Sequence, residues 1–275
     1  MNLRERFSAA AASYDEAAVL AREVGARMLE RLECVRLSPQ RIADIGCATG
    51  DGIYALMQRY PAVLPLAVDF ARPTLDAVRA RAGWWARLRG RAPLCVNADV
   101  RALPLANDSL DLVWSNLMLH WLPDPRPAFD ELQRVLRLGG LLHFSLLGPD
   151  TLKELRDCAR ALGLPWQGKS FLDMHDVGDM LMASGFHDPV MEMEMLTLTY
   201  RSPRDFLADQ RRLGVRDGLL GHLRWRDARR LLLAWPRREG VFPARFEIIY
   251  GHAWKLAPRR ALEGRAVVRF HRAVS

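Results

Sequence analysis

Apolar positions recur in two rhythms along this chain. Between residues 4 and 33, Phe7, Tyr14, Val19, Val24, Met28 and Leu32 return at helical spacing with no proline, which predicts one N-terminal helix. Ser38-Pro39-Gln40 breaks it. Short apolar runs then alternate with amphipathic segments: strands are predicted at 41–45, 64–68, 94–96, 110–114 and 141–147, with helices at 52–60, 73–81 and 127–136. These runs are apolar on both faces, the pattern of a parallel sheet covered by helices on both sides. Past Gly148 the rhythm changes. Helices are predicted at 150–162 and 173–184 and strands at 190–200 and 244–255, with an arginine-rich helical stretch at 203–235 between those last two. The reading is one α/β domain, residues 1–255: an N-terminal helical cap (1–36), a core (37–200), a helical lid (201–243) inserted between the last two strands, and the last strand (244–255). A basic tail, 256–275, follows.

Composition narrows the class. With 50 % hydrophobic and 26 % charged residues in a chain of 275, this is globular composition. No apolar run approaches the ~20 residues of a membrane span, and residues 1–15 lack the apolar segment of a secretory signal. The four cysteines are scattered, with no CxxC pair and no histidines at zinc spacing, so reduced thiols in a cytoplasmic protein and no metal site are expected. Charge is uneven. The net +8 divides into +11 from residue 201 onward and −3 over the first 200 residues. A basic quarter of this kind suits an acidic protein partner or nucleic acid, and arginine richness in a GC-biased genome gives the same excess.

The chemistry-bearing segment is Asp44-Ile45-Gly46-Cys47-Ala48-Thr49-Gly50-Asp51. A strand that runs into a glycine turn opening a helix brings backbone N–H groups against a ligand. The Gly-Lys-Ser/Thr of a nucleotide P-loop and the G-x-G-x-x-G of dinucleotide sites are both absent. Asp69 ends the second strand, where an acidic side chain accepts hydrogen bonds from a ribose diol. Asp99 follows the third strand, and Ser115 lies at the end of the fourth.

Gly46-Cys-Ala-Thr-Gly50 resembles the D-x-G-x-G-x-G turn of class I S-adenosylmethionine (SAM) methyltransferases, with Ala48 in place of the middle glycine. That resemblance implies a Rossmann-like seven-stranded sheet with SAM as cofactor. It also implies a cofactor site of Asp44, Gly46, Ala48, Gly50, Asp69, Asp99, Val100 and Ser115, in which Asp99 reads the adenine amino group. More specific stretches are Arg6-Phe-Ser-Ala-Ala-Ala-Ala-Ser-Tyr-Asp15, Ser115-Asn-Leu-Met-Leu-His-Trp121, Leu147-Gly-Pro-Asp-Thr-Leu-Lys-Glu-Leu-Arg156, Phe171-Leu-Asp-Met-His-Asp-Val-Gly178 and Phe242-Pro-Ala-Arg-Phe-Glu-Ile-Ile-Tyr-Gly-His-Ala-Trp-Lys255. These resemble the malonyl-acyl-carrier-protein O-methyltransferases of biotin synthesis over about residues 6–255. Ala21 departs from the glutamine that the family pattern leads one to expect. The family implies methyl transfer to the free carboxylate of a malonyl thioester on acyl carrier protein, or on malonyl-CoA, with the carrier's acidic surface meeting the basic lid.

A carboxylate is already anionic at neutral pH, so this transfer needs no general base, and positioning and desolvation carry the acceleration. The sequence agrees: it shows no Cys/His or Ser/His/Asp constellation. What the reaction needs is a cation for the substrate carboxylate, preferably a guanidinium. The lid offers Arg201, Arg204, Arg211, Arg212 and Arg216, then Arg224, Arg226, Arg229 and Arg230, with Arg211 the acceptor-pocket candidate among them. Tyr14, His120 and Trp121 are the others. Three rival readings stand beside this one: an arginine hydroxylase of the complex I assembly type, which shares the Gly148–Leu155 stretch; a SAM-binding scaffold; and an RNA methyltransferase, against which the chain carries no RNA-binding module.

Overall fold

The computed structural model describes residues 2–88, 90–222 and 224–257; from residue 258 on, the predicted basic tail lies outside them. The N-terminal region is α1 (Leu3–Ala10), α2 (Tyr14–Ala17) and α3 (Val19–Arg31). The predicted single helix is therefore broken twice. The breaks come from distant partners: Ser13 Oγ donates to the Arg212 carbonyl at 3.1 Å, and Thr49 Oγ1 donates to the Asp15 carboxylate. Tertiary contacts thus override the helix propensity of the alanine run.

Seven strands follow: β1 (Arg41–Ile45), β2 (Leu64–Asp69), β3 (Leu94–Asn97), β4 (Leu110–Ser115), β5 (Leu136–Leu147), β6 (His187–Tyr200) and β7 (Phe242–Lys255). Between them lie α4 (Asp51–Arg59), α5 (Arg72–Arg81), α6 (Trp84–Leu88), α7 (Arg126–Val135), α8 (Lys153–Ala161) and α9 (Met174–Ala183), with α10 (Pro203–Arg212), α11 (Arg216–Leu220) and α12 (Trp225–Ala234) connecting β6 to β7. The sheet order is β3-β2-β1-β4-β5-β7-β6. The first five strands are parallel, but β7 inserts between β5 and β6 and runs antiparallel to both. The five runs read as a parallel sheet are parallel, and the reversal comes only with the last strand. Apolar runs do not encode strand direction; the chain reverses because the three helices of the lid join β6 to β7 at one end of the sheet.

A second difference lies at β5, which starts at Leu136 rather than after the glycine pair. Gly139 adopts a left-handed φ of 78°, and a Cβ on Gly140 would sit 2.8 Å from the Arg137 carbonyl, so the pair passes inside the strand.

Strand residues alternate between two cores. Ile42, Ala67, Leu112, Leu141 and Ile248 point to the face covered by α3, α4, α8 and the lid, while Ala43, Val68, Val113, Leu142 and Ile249 meet α7 and α9. This period of two is that of strands buried on both sides. The carboxyl ends of β1 and β4, where the strand order switches, open one crevice, the usual place for a ligand in such sheets. No described helix is long and apolar enough to cross a membrane.

Candidate active site

A cavity of about 650 Å³ opens over those strand ends, roofed by α1, α2 and the first part of the lid. Its floor begins at the glycine turn. Gly46 has φ of 75° and a Cβ there would lie 2.3 Å from Met118, so only glycine lets the chain pass. The Gly46 and Cys47 amides donate to the Val68 carbonyl, fastening the turn to β2. Gly50, with φ of 98°, caps α4 against Val78 and Tyr54 and shapes the turn without lining the main cavity.

Asp69 faces the turn. Its Oδ2 accepts from the Ala48 amide at 3.0 Å and its Oδ1 from the Ala71 amide at 2.8 Å. Its carboxylate also lines the cavity, where it can accept from a ligand. Burial pushes its pKa up to about 6, against those amide bonds. Asp44 lies deeper, beside a small adjoining recess that it shares with Tyr14, Gly46, Trp114 and Asn116. Burial, and then the nearby charge of Asp69, push the Asp44 pKa up to about 8, while a hydrogen bond from the Ile53 amide pulls the other way. The Trp114 indole N–H is buried beside it with no partner, and a Cβ on Gly52 would come within 2.6 Å of Asp44 Oδ2. An orphaned donor, an acidic acceptor and a glycine-lined recess are what the zwitterionic end of an amino-acid-bearing cofactor requires, so these residues fit SAM.

The other sequence candidates fall as follows. Asp99 and Val100 line the cavity. Asp99 is bound by Arg101, whose Nη2 lies 2.7 Å from Oδ2, and this pairing holds the Asp99 carboxyl below its ordinary range. Ser115 is fully buried, donates to the Ile45 carbonyl at 3.0 Å and lines neither cavity. Its work is to tie β1 to β4, so its expected cofactor contact is corrected to a structural one. Tyr14 stands at the cofactor end rather than the acceptor end. Burial, and then the negative fields of Asp69 and Asp51, raise its phenol pKa.

His120 and Trp121 do line the cavity, opposite the glycine turn, and Trp121 packs edge-on to Phe7 with ring centroids 6.1 Å apart. Burial takes the His120 pKa down to about 3, so the ring is neutral. Arg211 is exposed and faces away, whereas its neighbour Gln210 is buried and lines the cavity. Successive helical residues point about 100° apart, so α10 cannot present both. Sequence reasoning also missed Phe7, Phe70, Asn116 and Lys169 in the lining. Asn116 is held by the Ala21 carbonyl and Ser145 Oγ, each at 2.8 Å, and Ala21 itself forms part of the wall. Among the described residues no cluster of His, Cys, Asp and Glu is arranged to hold a metal ion.

A family model described as methyltransferase domain matches residues 43–144. Malonyl-[acyl-carrier protein] O-methyltransferase of Gallionella capsiferriformans is 47 % identical to this chain, over 97 % of it and 94 % of that protein. The Laribacter hongkongensis enzyme of the same name is 43 % identical over 98 % and 95 %. The chain belongs to the malonyl-[acyl-carrier protein] O-methyltransferase family. Among solved structures, a methyltransferase of Bacillus halodurans has the same fold, with a TM-score of 0.60 at 17 % identity over 84 % of this chain and 99 % of that one. A Haemonchus contortus phosphoethanolamine N-methyltransferase in complex with SAM gives 0.58 at 15 % identity over 94 % and 60 %.

One departure of this family member from the general glycine pattern has a measurable consequence. Ala48 adopts φ of 46°, the left-handed region that costs a residue with a Cβ about 1–2 kcal/mol. Ala48→Gly is expected to stabilise the protein by about 1 kcal/mol, a rise of about 2–4 °C in melting temperature for a chain of this size. Differential scanning calorimetry checks it, and a fall in melting temperature would contradict the strain.

Proposed function

We propose that the protein methylates the free carboxylate of a malonyl thioester carried by acyl carrier protein, with SAM as methyl donor, at an early step of biotin synthesis. The observation that carries this reading is the polarity of the cavity. Its cofactor end is acidic, with Asp69 in the lining and Asp44 in the adjoining recess, and its acceptor end is walled by Phe7, Trp121, neutral His120 and the cation Lys169. A positively charged donor and an anionic acceptor would be sorted to opposite ends.

Asp69 would hold the ribose hydroxyls, Asp99 the adenine edge, and Asp44 with the Trp114 N–H the amino-acid end. When bound, SAM supplies a methyl group on a positively charged sulfur. The protein's own part is placement. The acceptor carboxylate is ionised before it arrives, so no proton has to be removed. In agreement, two groups that could serve as bases are poor ones near neutral pH: His120 stays neutral and accepts from the Leu147 amide, and Tyr14 stays a phenol. The aromatic wall and the roof of α1 exclude water, which strengthens the electrostatic attraction between carboxylate and donor. Residues 201–243 serve as the lid over this end, and a single domain, 1–255, carries the whole site. The exposed arginines of the lid, Arg211 and Arg212 among them, suit first encounter with an acidic carrier protein. The four free cysteines suit a cytoplasmic setting.

Incubation with SAM and malonyl-loaded carrier protein, followed by intact-mass spectrometry, tests the reading. The expected product is the carrier heavier by one methylene. An unchanged malonyl carrier alongside methylated transfer RNA would overturn it.

A further inference from the structure

Among the described residues four cations line the cavity, and three are already engaged or outside its interior. Arg101 is paired with Asp99. Arg6 already has an electrostatic partner of its own. Arg4 is exposed, with its guanidinium 3.4 Å from Asn97 Oδ1. Lys169 differs. It is half-buried, its ammonium donates to the Leu122 carbonyl at 3.1 Å, and no carboxylate pairs with it among the described residues. Its own amide donates to the Gly218 carbonyl at 2.9 Å, which anchors this loop residue to α11 of the lid. An ammonium has three donors, so two point to no protein acceptor.

His120 stands beside it. The ring Nδ1 accepts from the Leu147 amide at 3.4 Å, which places the ring proton on Nε2. That Nε2–H is buried in the cavity wall and has no partner. The ring cannot turn away, because Trp121 and Phe171 pack against it with centroids 4.8 Å and 5.4 Å distant. The Lys169 charge also opposes protonation of the ring, keeping it a neutral donor. A buried donor without a partner is costly, and so is a half-buried cation without an anion.

We infer that the Lys169 ammonium and the His120 Nε2–H together form the seat for the acceptor's carboxylate, and so select acyl thioesters that end in a free carboxylate over uncharged ones. This rests on the function proposed above, because that reading makes the acceptor a malonyl group. The seat also has a consequence for turnover. Methylation removes the negative charge, so the ester product loses its pairing with Lys169 and leaves, while a fresh substrate regains it.

The test is binding, which needs no turnover. Malonyl-pantetheine and acetyl-pantetheine are titrated by calorimetry into the protein saturated with S-adenosylhomocysteine. Wild type is expected to prefer the malonyl probe at least tenfold. Lys169→Met should lose at least tenfold in malonyl affinity, leave acetyl binding and SAM affinity within twofold of wild type, and so erase the preference, while Lys169→Arg restores most of it. His120→Phe, which keeps the ring and removes the donor, should lose about threefold to tenfold on the malonyl probe alone. Should Lys169→Met lose the Leu122 contact and unfold, Lys169→Gln, which can keep that hydrogen bond without the charge, gives the same readout. Full malonyl preference retained in either neutral variant overturns the seat. Lys169-dependent malonyl binding by a wild type that transfers no methyl group would support the seat and overturn the proposed function instead.

Discussion

Asp69→Ala is expected to weaken SAM binding by about two to four orders of magnitude while leaving the fold intact. Asp69 has two kinds of work. Its carboxylate accepts from the Ala48 and Ala71 amides and so helps to hold the turn that cradles the cofactor. The same carboxylate is offered to the ribose. Hydrogen bonds to charged groups contribute about 1.5–3 kcal/mol each, and tenfold in affinity corresponds to about 1.4 kcal/mol, so loss of a pair yields the stated range. Stability should not follow. Burial raises the Asp69 pKa, which means that the free protein holds this ionised carboxylate at a cost. The ligand-free variant should therefore melt at or above the wild-type temperature. Isothermal titration calorimetry with SAM, paired with a thermal melt, measures both. Unchanged SAM affinity would remove Asp69 from the cofactor site.

A second large effect is expected in pH. In the folded chain Asp44 and Asp69 keep their protons up to about 8 and about 6, whereas the unfolded chain releases them near ~4. Between those limits the folded state binds more protons than the unfolded one. Stability of the ligand-free protein therefore falls as pH rises, until about 6 for Asp69 and about 8 for Asp44, and no further above that. Binding a cationic ligand favours the ionised carboxylates, so cofactor affinity moves in the opposite direction. SAM affinity should rise about tenfold per pH unit between 6 and 8, where Asp44 alone must give up its proton. It should rise more steeply below 6. Titrations at pH 6, 7 and 8, each in buffers of different ionisation enthalpy, should show proton release that fades toward pH 8. Affinity that is flat over this range, with no proton release, would contradict the burial of Asp44 as a functional feature.

Some of this site could be read in the chain before any fold was known, and the reasons are local. Gly46, Gly50 and Asp69 announce themselves because a glycine turn between strand and helix, with an acid at the next strand's end, is short-range turn chemistry. The sheet was legible for the same reason: apolar runs of strand length need no distant partner to be recognised. What escaped depends on contacts far apart in the chain. The N-terminal helix is interrupted at residues 11–13 and at Ala18, with Ser13 and Asp15 drawn to Arg212 and Thr49, and an alanine-rich stretch carries no mark of such pulls. Ser115 looked like a cofactor contact but its hydroxyl is spent on Ile45, a neighbour only in the sheet. Arg211 stands out in the sequence for its charge, but the helical rotation that turns Gln210 inward turns it outward. Lys169 lies in a loop with no periodicity, and its importance comes from what surrounds it, the Leu122 carbonyl, the Gly218 carbonyl and the His120 ring. A lone lysine offers no sequence signal of that kind.

The methyl group should go to a carboxylate. The most direct measurement uses SAM labelled in its methyl group, with malonyl-loaded and acetyl-loaded carrier protein side by side, followed by mild alkali. Label is expected on the malonyl carrier alone, released as methanol because methyl esters hydrolyse in base. Label that survives alkali, or that appears equally on the acetyl carrier, would contradict transfer to a carboxylate.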